Sequence, residues 1–80
     1  MSDTVISRTI HEHRTRMGLS QKELGQMVGV TNRAVSKWEN GLAFPSTEKC
    51  YKLADVFKIS LDVLMNGEES AERLWIFYVF

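Results

Sequence analysis

A lone cysteine, Cys50, is the only thiol in the 80-residue sequence, so an internal disulfide framework and a multi-cysteine zinc site are both excluded. Residues 1–10 mix charge and polarity without an apolar run; they do not read as a signal peptide, and a cytoplasmic protein is expected. Up to residue 67, no apolar–polar alternation of period two holds long enough to mark a strand. Paired acids, a phosphate-cradling loop and a nucleophile beside a base are missing as well. No cofactor or metal is implied, and an enzyme is not expected.

Net charge is also absent, with ten basic side chains against ten acidic ones. The balance hides a polarity along the chain. Residues 1–37 carry Arg8, Arg14, Arg16, Lys22, Arg33 and Lys37 against Asp3, Glu12 and Glu23, while the remainder carries four basic residues against seven acidic. The positive part is where a phosphate backbone would dock. Length sets the scale: a chain of 80 residues buries only about 60% of its unfolded surface, enough for one modest core.

What the chain does have is helix punctuation. Gly18, Gly29, Gly41 and Gly67 each follow an apolar-periodic stretch, where a left-handed C-terminal cap would favour glycine. Hydroxyl residues suited to N-capping follow most of them: Ser20, Thr31 and Ser46, with Ser60 opening a later segment. Ser20-Gln21-Lys22-Glu23 is a capping box, and Leu19 with Leu24 supplies a hydrophobic staple. Val30 with Val35, and Ile59 with Leu64, repeat the staple spacing. Five helices are predicted, over roughly residues 3–17, 21–28, 32–40, 47–57 and 61–66. Core positions recur at helical spacing: Ile6, Ile10 and Met17; Leu24 and Val28; Val35 and Trp38; Cys50, Leu53, Ala54 and Phe57; Leu61 and Leu64. The fold class is all-α.

Two of these helices, joined by Gly29-Val30-Thr31, have the turn length of a helix-turn-helix. Gly25 on the first and Ala34 on the second are small where such helices cross, and Gly25 costs about 1 kcal/mol of helix propensity relative to alanine. The stretches Met17-Gly18-Leu19-Ser20-Gln21, Glu23-Leu24, Gly29-Val30-Thr31 and Val35-Ser36-Lys37-Trp38-Glu39-Asn40-Gly41 carry a resemblance. So do Pro45, Leu53-Ala54-Asp55 and Ile59-Ser60-Leu61-Asp62-Val63-Leu64. Together they are similar to the lambda-repressor-like helix-turn-helix family of phage Cro proteins, phage repressors and bacterial regulators, the XRE type.

The resemblance implies a five-helix DNA-binding domain over residues 1–67 whose third helix, 32–40, lies in the major groove. Asn32 would then bond adenine, and Arg33 and Lys37 guanine or a phosphate, while Thr31 and Ser36 add hydroxyl or methyl contacts. Gln21 and Asn40 match positions that touch the DNA backbone, and Ser20 is first a cap and second a contact. Arg14 and Glu39 match a structural ion pair. The implied partner is double-stranded DNA, a palindromic operator read by a homodimer, and the implied role is transcriptional repression. Leu42-Ala43-Phe44 departs from the basic loop common in the family, which weakens one copy alone and makes binding depend on dimerisation and on salt.

Residues 68–80 form a separate extension. Leu74, Trp75, Ile76, Phe77, Tyr78, Val79 and Phe80 are wholly apolar or aromatic, too short to cross a bilayer as a helix and rich in strand-forming types. Three readings stay open: a dimerisation element, packing against the same domain, or the start of a further region. An antitoxin or adaptor that binds a protein partner through this tail is the alternative function. His11-Glu12-His13 invites a metal reading, but residues two apart on a helix point about 200° from each other, so surface positions are expected.

Overall fold

The structure, a computed structural model, describes residues 4–67. Within them lie five helices and no strand: α1 (Val5–Arg16), α2 (Gln21–Val28), α3 (Asn32–Glu39), α4 (Thr47–Phe57) and α5 (Leu61–Asn66). Residues 68–80, with the strand and dimer role expected of residues 74–80, lie outside the described residues.

Helices of six to twelve residues are marginal in isolation, so caps and packing must hold them. Ser20, Thr31, Ser46 and Ser60 each accept a hydrogen bond from the backbone N–H three residues on, at Glu23, Ala34, Lys49 and Val63. In α2 the box closes, because Glu23 Oε1 accepts from the Ser20 N–H at 2.8 Å. That N–H, together with the Ser20 side chain, holds the Glu23 carboxyl below its ordinary pKa. The sequence reading missed an equivalent box at the first helix. Ser7 N–H donates to Thr4 Oγ1 at 3.1 Å and Thr4 N–H to Ser7 Oγ at 2.9 Å, so α1 begins at Val5 rather than at residue 3.

Helices α1 to α4 end alike. Leu19, Val30, Leu42 and Ile59 donate backbone N–H bonds of 2.8–3.0 Å to the carbonyls five residues back, at Arg14, Gly25, Lys37 and Ala54. Each donor follows a residue of positive φ: Gly18, Gly29, Gly41 and, at the end of α4, Lys58. Lys58 is the one side-chain-bearing residue in that conformation among the described residues, and no glycine signal marked it.

Every helix contributes to one core: Ile6 and Ile10, Leu24 and Val28, Val35 and Trp38, Cys50, Leu53, Ala54 and Phe57, and Leu64. Leu19, Val30 and Ile59, the outer halves of the staples, pack on it. Met17 does not. It is 47% exposed because α1 stops at Arg16 and the chain has already turned away from the apolar stripe. Burial pushes the Cys50 thiol pKa up and its sulfur contacts the Pro45 carbonyl, the setting of an inert core thiol.

Helices α2 and α3 pack most closely, with α1 laid across α3 and α5. The close approach at Gly25 is to the turn rather than to Ala34. A Cβ there would sit 2.6 Å from the Val30 carbonyl oxygen and 3.2 Å from the Thr31 carbonyl. Gly25→Ala should therefore lower stability by about 1–3 kcal/mol despite its better helix propensity, because backbone must move to admit the methyl. Urea unfolding checks this, and a variant as stable as the parent would contradict the packing.

Candidate nucleic-acid interface

The α3 helix divides its residues by face. Val35 and Trp38, three apart, are buried, whereas Asn32, Arg33 and Lys37 are exposed and Ser36 is half-buried at the edge. Thr31, also exposed, spends its hydroxyl oxygen on the Ala34 N–H at 3.1 Å, leaving its methyl and its own O–H. Asn40 follows the helix and folds back on it: Nδ2 donates to the Ser36 carbonyl at 2.8 Å and lies 3.3 Å from Ser36 Oγ. Among the described residues, Asn32, Arg33 and Lys37 thus form an open polar stripe with two positive charges, next to a fixed Ser36–Asn40 pair.

Beside this stripe sits a carboxylate that three helices share. Arg14 of α1 grips Glu39 at both oxygens, Nε to Oε2 at 2.6 Å and Nη2 to Oε1 at 3.0 Å. Its third nitrogen donates to the Leu19 carbonyl at 2.8 Å, fastening the turn into α2. Gln21, at the start of α2, donates Nε2 to Glu39 Oε1 at 3.2 Å. The Glu39 side chain is 5% exposed. Burial alone would push its carboxyl pKa up, but the hydrogen bonds from Arg14, His11 and Gln21 outweigh that and hold it below the ordinary value. The hydrogen bonding of Arg14 to Glu39 raises the pKa of Arg14 against its own desolvation.

Gln21, at the start of α2, lines one cleft with Asn40, Arg14 and Glu39. Gln21 is half-buried and tethered, so its amide is presented in one orientation. Ser20 is exposed, with its hydroxyl oxygen engaged by Glu23. The structure thus brings Gln21 and Asn40 into one cleft with Arg14 and Glu39, and neither Ser20 nor the exposed stripe of α3 is part of its lining. Residues 74–80 are not among those it places.

Sequence reasoning overlooked His11, whose Nδ1 lies 3.0 Å from Glu39 Oε1. Its position three residues before Arg14, on the same helical face, was the available signal. His13, expected at the surface, is half-buried instead. Its Nδ1 lies 3.0 Å from the Thr9 carbonyl and its ring centroid 5.4 Å from that of Phe57. The two imidazoles keep separate company on different faces of α1.

A helix-turn-helix family model matches residues 10–64, most of the chain and all of α2 and α3. The chain belongs to the helix-turn-helix family. Among its relatives is the transcriptional activator BcrR of Enterococcus faecalis, 33% identical over 60 residues, which are 75% of this chain and 29% of BcrR. Repressor protein C2 of Salmonella phage P22 is 33% identical over 70 residues, 88% of this chain and 32% of C2. This helix-turn-helix chain therefore spans about a third of either regulator. The crystal structure of the P22 c2 repressor with a synthetic operator superposes at a TM-score of 0.77 and 32% identity, covering 81% of this chain and 98% of that one.

The shared carboxylate gives the domain an acid sensitivity. Because folding depresses the Glu39 pKa, its contribution is present at neutral pH and is lost as pH falls below about 4.5 through the folded-state value. Glu39→Gln should cost roughly 2–3 kcal/mol at pH 7, less than a fully dry pair because Arg14 keeps an edge in solvent. The gap between parent and variant should close as pH falls. Urea titrations across the acid range measure it, and a gap that stayed constant would refute the assignment.

Proposed function

We propose that this chain is the DNA-reading domain of a sequence-specific transcriptional regulator of the repressor type, acting without catalysis in the cytoplasm, with residues 1–67 as the domain. In this reading α3 enters the major groove as half of a homodimer on a palindromic operator. Thr31, Asn32, Arg33, Ser36 and Lys37 read base edges, and Ser20, Gln21 and Asn40 hold phosphates. The observation that carries it is the α3 stripe, exposed and cationic on one face and packed by Val35 and Trp38 on the other. A helix presented in this way, in a chain similar to an operator-bound repressor, has the shape and charge of a groove reader.

The loop after α3 supports dependence on a second copy. Leu42 and Phe44 are 70% and 67% exposed, and the loop brings no cation to the phosphates. Few backbone charges per monomer means modest affinity unless two half-sites are held at once.

In vitro selection of duplex sites with the purified chain tests the reading. The expected product is a palindrome with half-sites about 34–36 Å apart, one helical turn. Enrichment of no motif at low salt would refute it. On the selected duplex, Asn32→Ala should relax preference at one base pair by about 1–3 kcal/mol. Lys37→Ala and Arg33→Ala separate two roles: a lost phosphate contact weakens all sequences alike and lowers the salt slope by about 0.9, whereas a lost base contact changes the selected motif.

A further inference from the structure

An open cleft runs between α1 and the α2–α3 unit, and His11 lines it together with Gln21 and Asn40. We propose that His11 is a further contact with the nucleic-acid backbone, made by its outer ring nitrogen and strengthened when the ring takes up a proton. The inference rests on the preceding reading, in which Gln21 and Asn40 face phosphate.

The ring is oriented before any ligand arrives. Its Nδ1 lies 3.0 Å from Glu39 Oε1 and 3.3 Å from Arg14 Nη2. A carboxylate only accepts, and Arg14 Nη2 already donates to Glu39 Oε1 at 3.0 Å. The shorter contact therefore sets the tautomer: Nδ1 carries the hydrogen and points at Glu39. The opposite nitrogen, Nε2, is left on a side chain that is 55% exposed. In the neutral ring it offers a lone pair, which a phosphate oxygen repels. Protonated, it becomes a charged donor, the kind of group that binds phosphate well.

The charges facing the ring decide the sign. From α1 come Arg8 and Arg14, which oppose protonation, and Glu12, which favours it; from α3 comes Glu39, and α2 offers the uncharged Gln21. Glu39 is already engaged by Arg14 in the free protein. A phosphate entering the cleft adds negative charge that the free protein lacks, so the complex holds the proton more tightly. Binding must then tighten as pH falls.

The test uses the full chain and its selected operator duplex, with affinity followed by fluorescence anisotropy at fixed ionic strength. Between about pH 8 and about pH 5.5, the range in which histidine changes charge, the parent should tighten about tenfold, the equivalent of one charge-assisted contact. His11→Gln should remove that dependence and, at the acid end only, lower the salt slope by about 0.9. His11→Lys should bind at the alkaline end as tightly as the parent does at the acid end. His13→Gln, whose ring is held by Thr9 and Phe57, should keep the parent's pH profile. A His11→Gln protein that retained the parent's pH dependence would overturn the proposal. So would one that lost it with an unchanged salt slope, since the ring would then act through Glu39 without touching phosphate. Absence of specific DNA binding by the parent at every pH would overturn the functional reading and this inference together.

Discussion

Glu39 is the point at which α1, α2 and α3 are joined by something more directional than packing. Its two carboxylate oxygens take hydrogen bonds from Arg14, Gln21 and His11, all within 3.2 Å. A carboxylate with a side chain only 5% exposed is destabilising unless its lone pairs are filled, and here they are. The consequence is geometric. Arg14 also holds the Leu19 carbonyl, so one guanidinium sets the end of α1, the turn into α2 and the last turn of α3 relative to each other. It also settles the electrostatics of α3: with Glu39 neutralised by Arg14, the charges left to face solvent on that helix are those of Arg33 and Lys37.

The hydrophobic core supplies the cohesion, and the helix ends supply the register. Four helices close with the same backbone bond to the carbonyl five residues back, and the residue making that bond is apolar each time. At Leu19, Val30 and Ile59 the same residue packs on the core. It therefore serves as the last residue of one cap and the first of the next helix's staple. Leu42 makes the same bond but stays 70% exposed, because no helix begins right after it to fold it inward; α4 starts only at Thr47. The α3–α4 loop is thus the place where the domain's repeating logic lapses.

Chemistry and support are separated on α3. Its exposed polar stripe, proposed to read DNA, needs side chains free of partners, and its position needs side chains fully engaged. The helix meets both demands by angle alone: Val35 and Trp38 face the core, Asn32, Arg33 and Lys37 face outward, and Glu39 sits at the flank. The steric demand of this arrangement falls on Gly25, over which the α2–α3 turn closes at a distance no side chain fits.

The caps at Ser20, Thr31, Ser46 and Ser60 and the positive-φ glycines are written locally. Each interaction spans three to five residues, so a reader of the sequence meets both partners in one glance. That is why α2 to α5 fall where the pattern puts them. Thr4–Ser7 and Lys58 escaped because serine is a weaker reciprocal partner than glutamate, and lysine carries no turn signal. The site is different in kind. Arg14 and Glu39 stand 25 residues apart, His11 and Glu39 28, and Gln21 and Glu39 18; no periodicity links such positions. Family resemblance suggested the first of these pairs and was silent on the other two. The amino-acid sequence by itself determined the helices, their ends and the apolar stripes, since those follow from short-range hydrogen bonding and helical spacing. Only the tertiary structure decided that Gly25 answers to a turn rather than to a helix, and that His11 and Gln21 converge on Glu39. Those outcomes depend on how five short helices cross, and crossing is settled by side-chain volumes and buried charge acting together across the whole core.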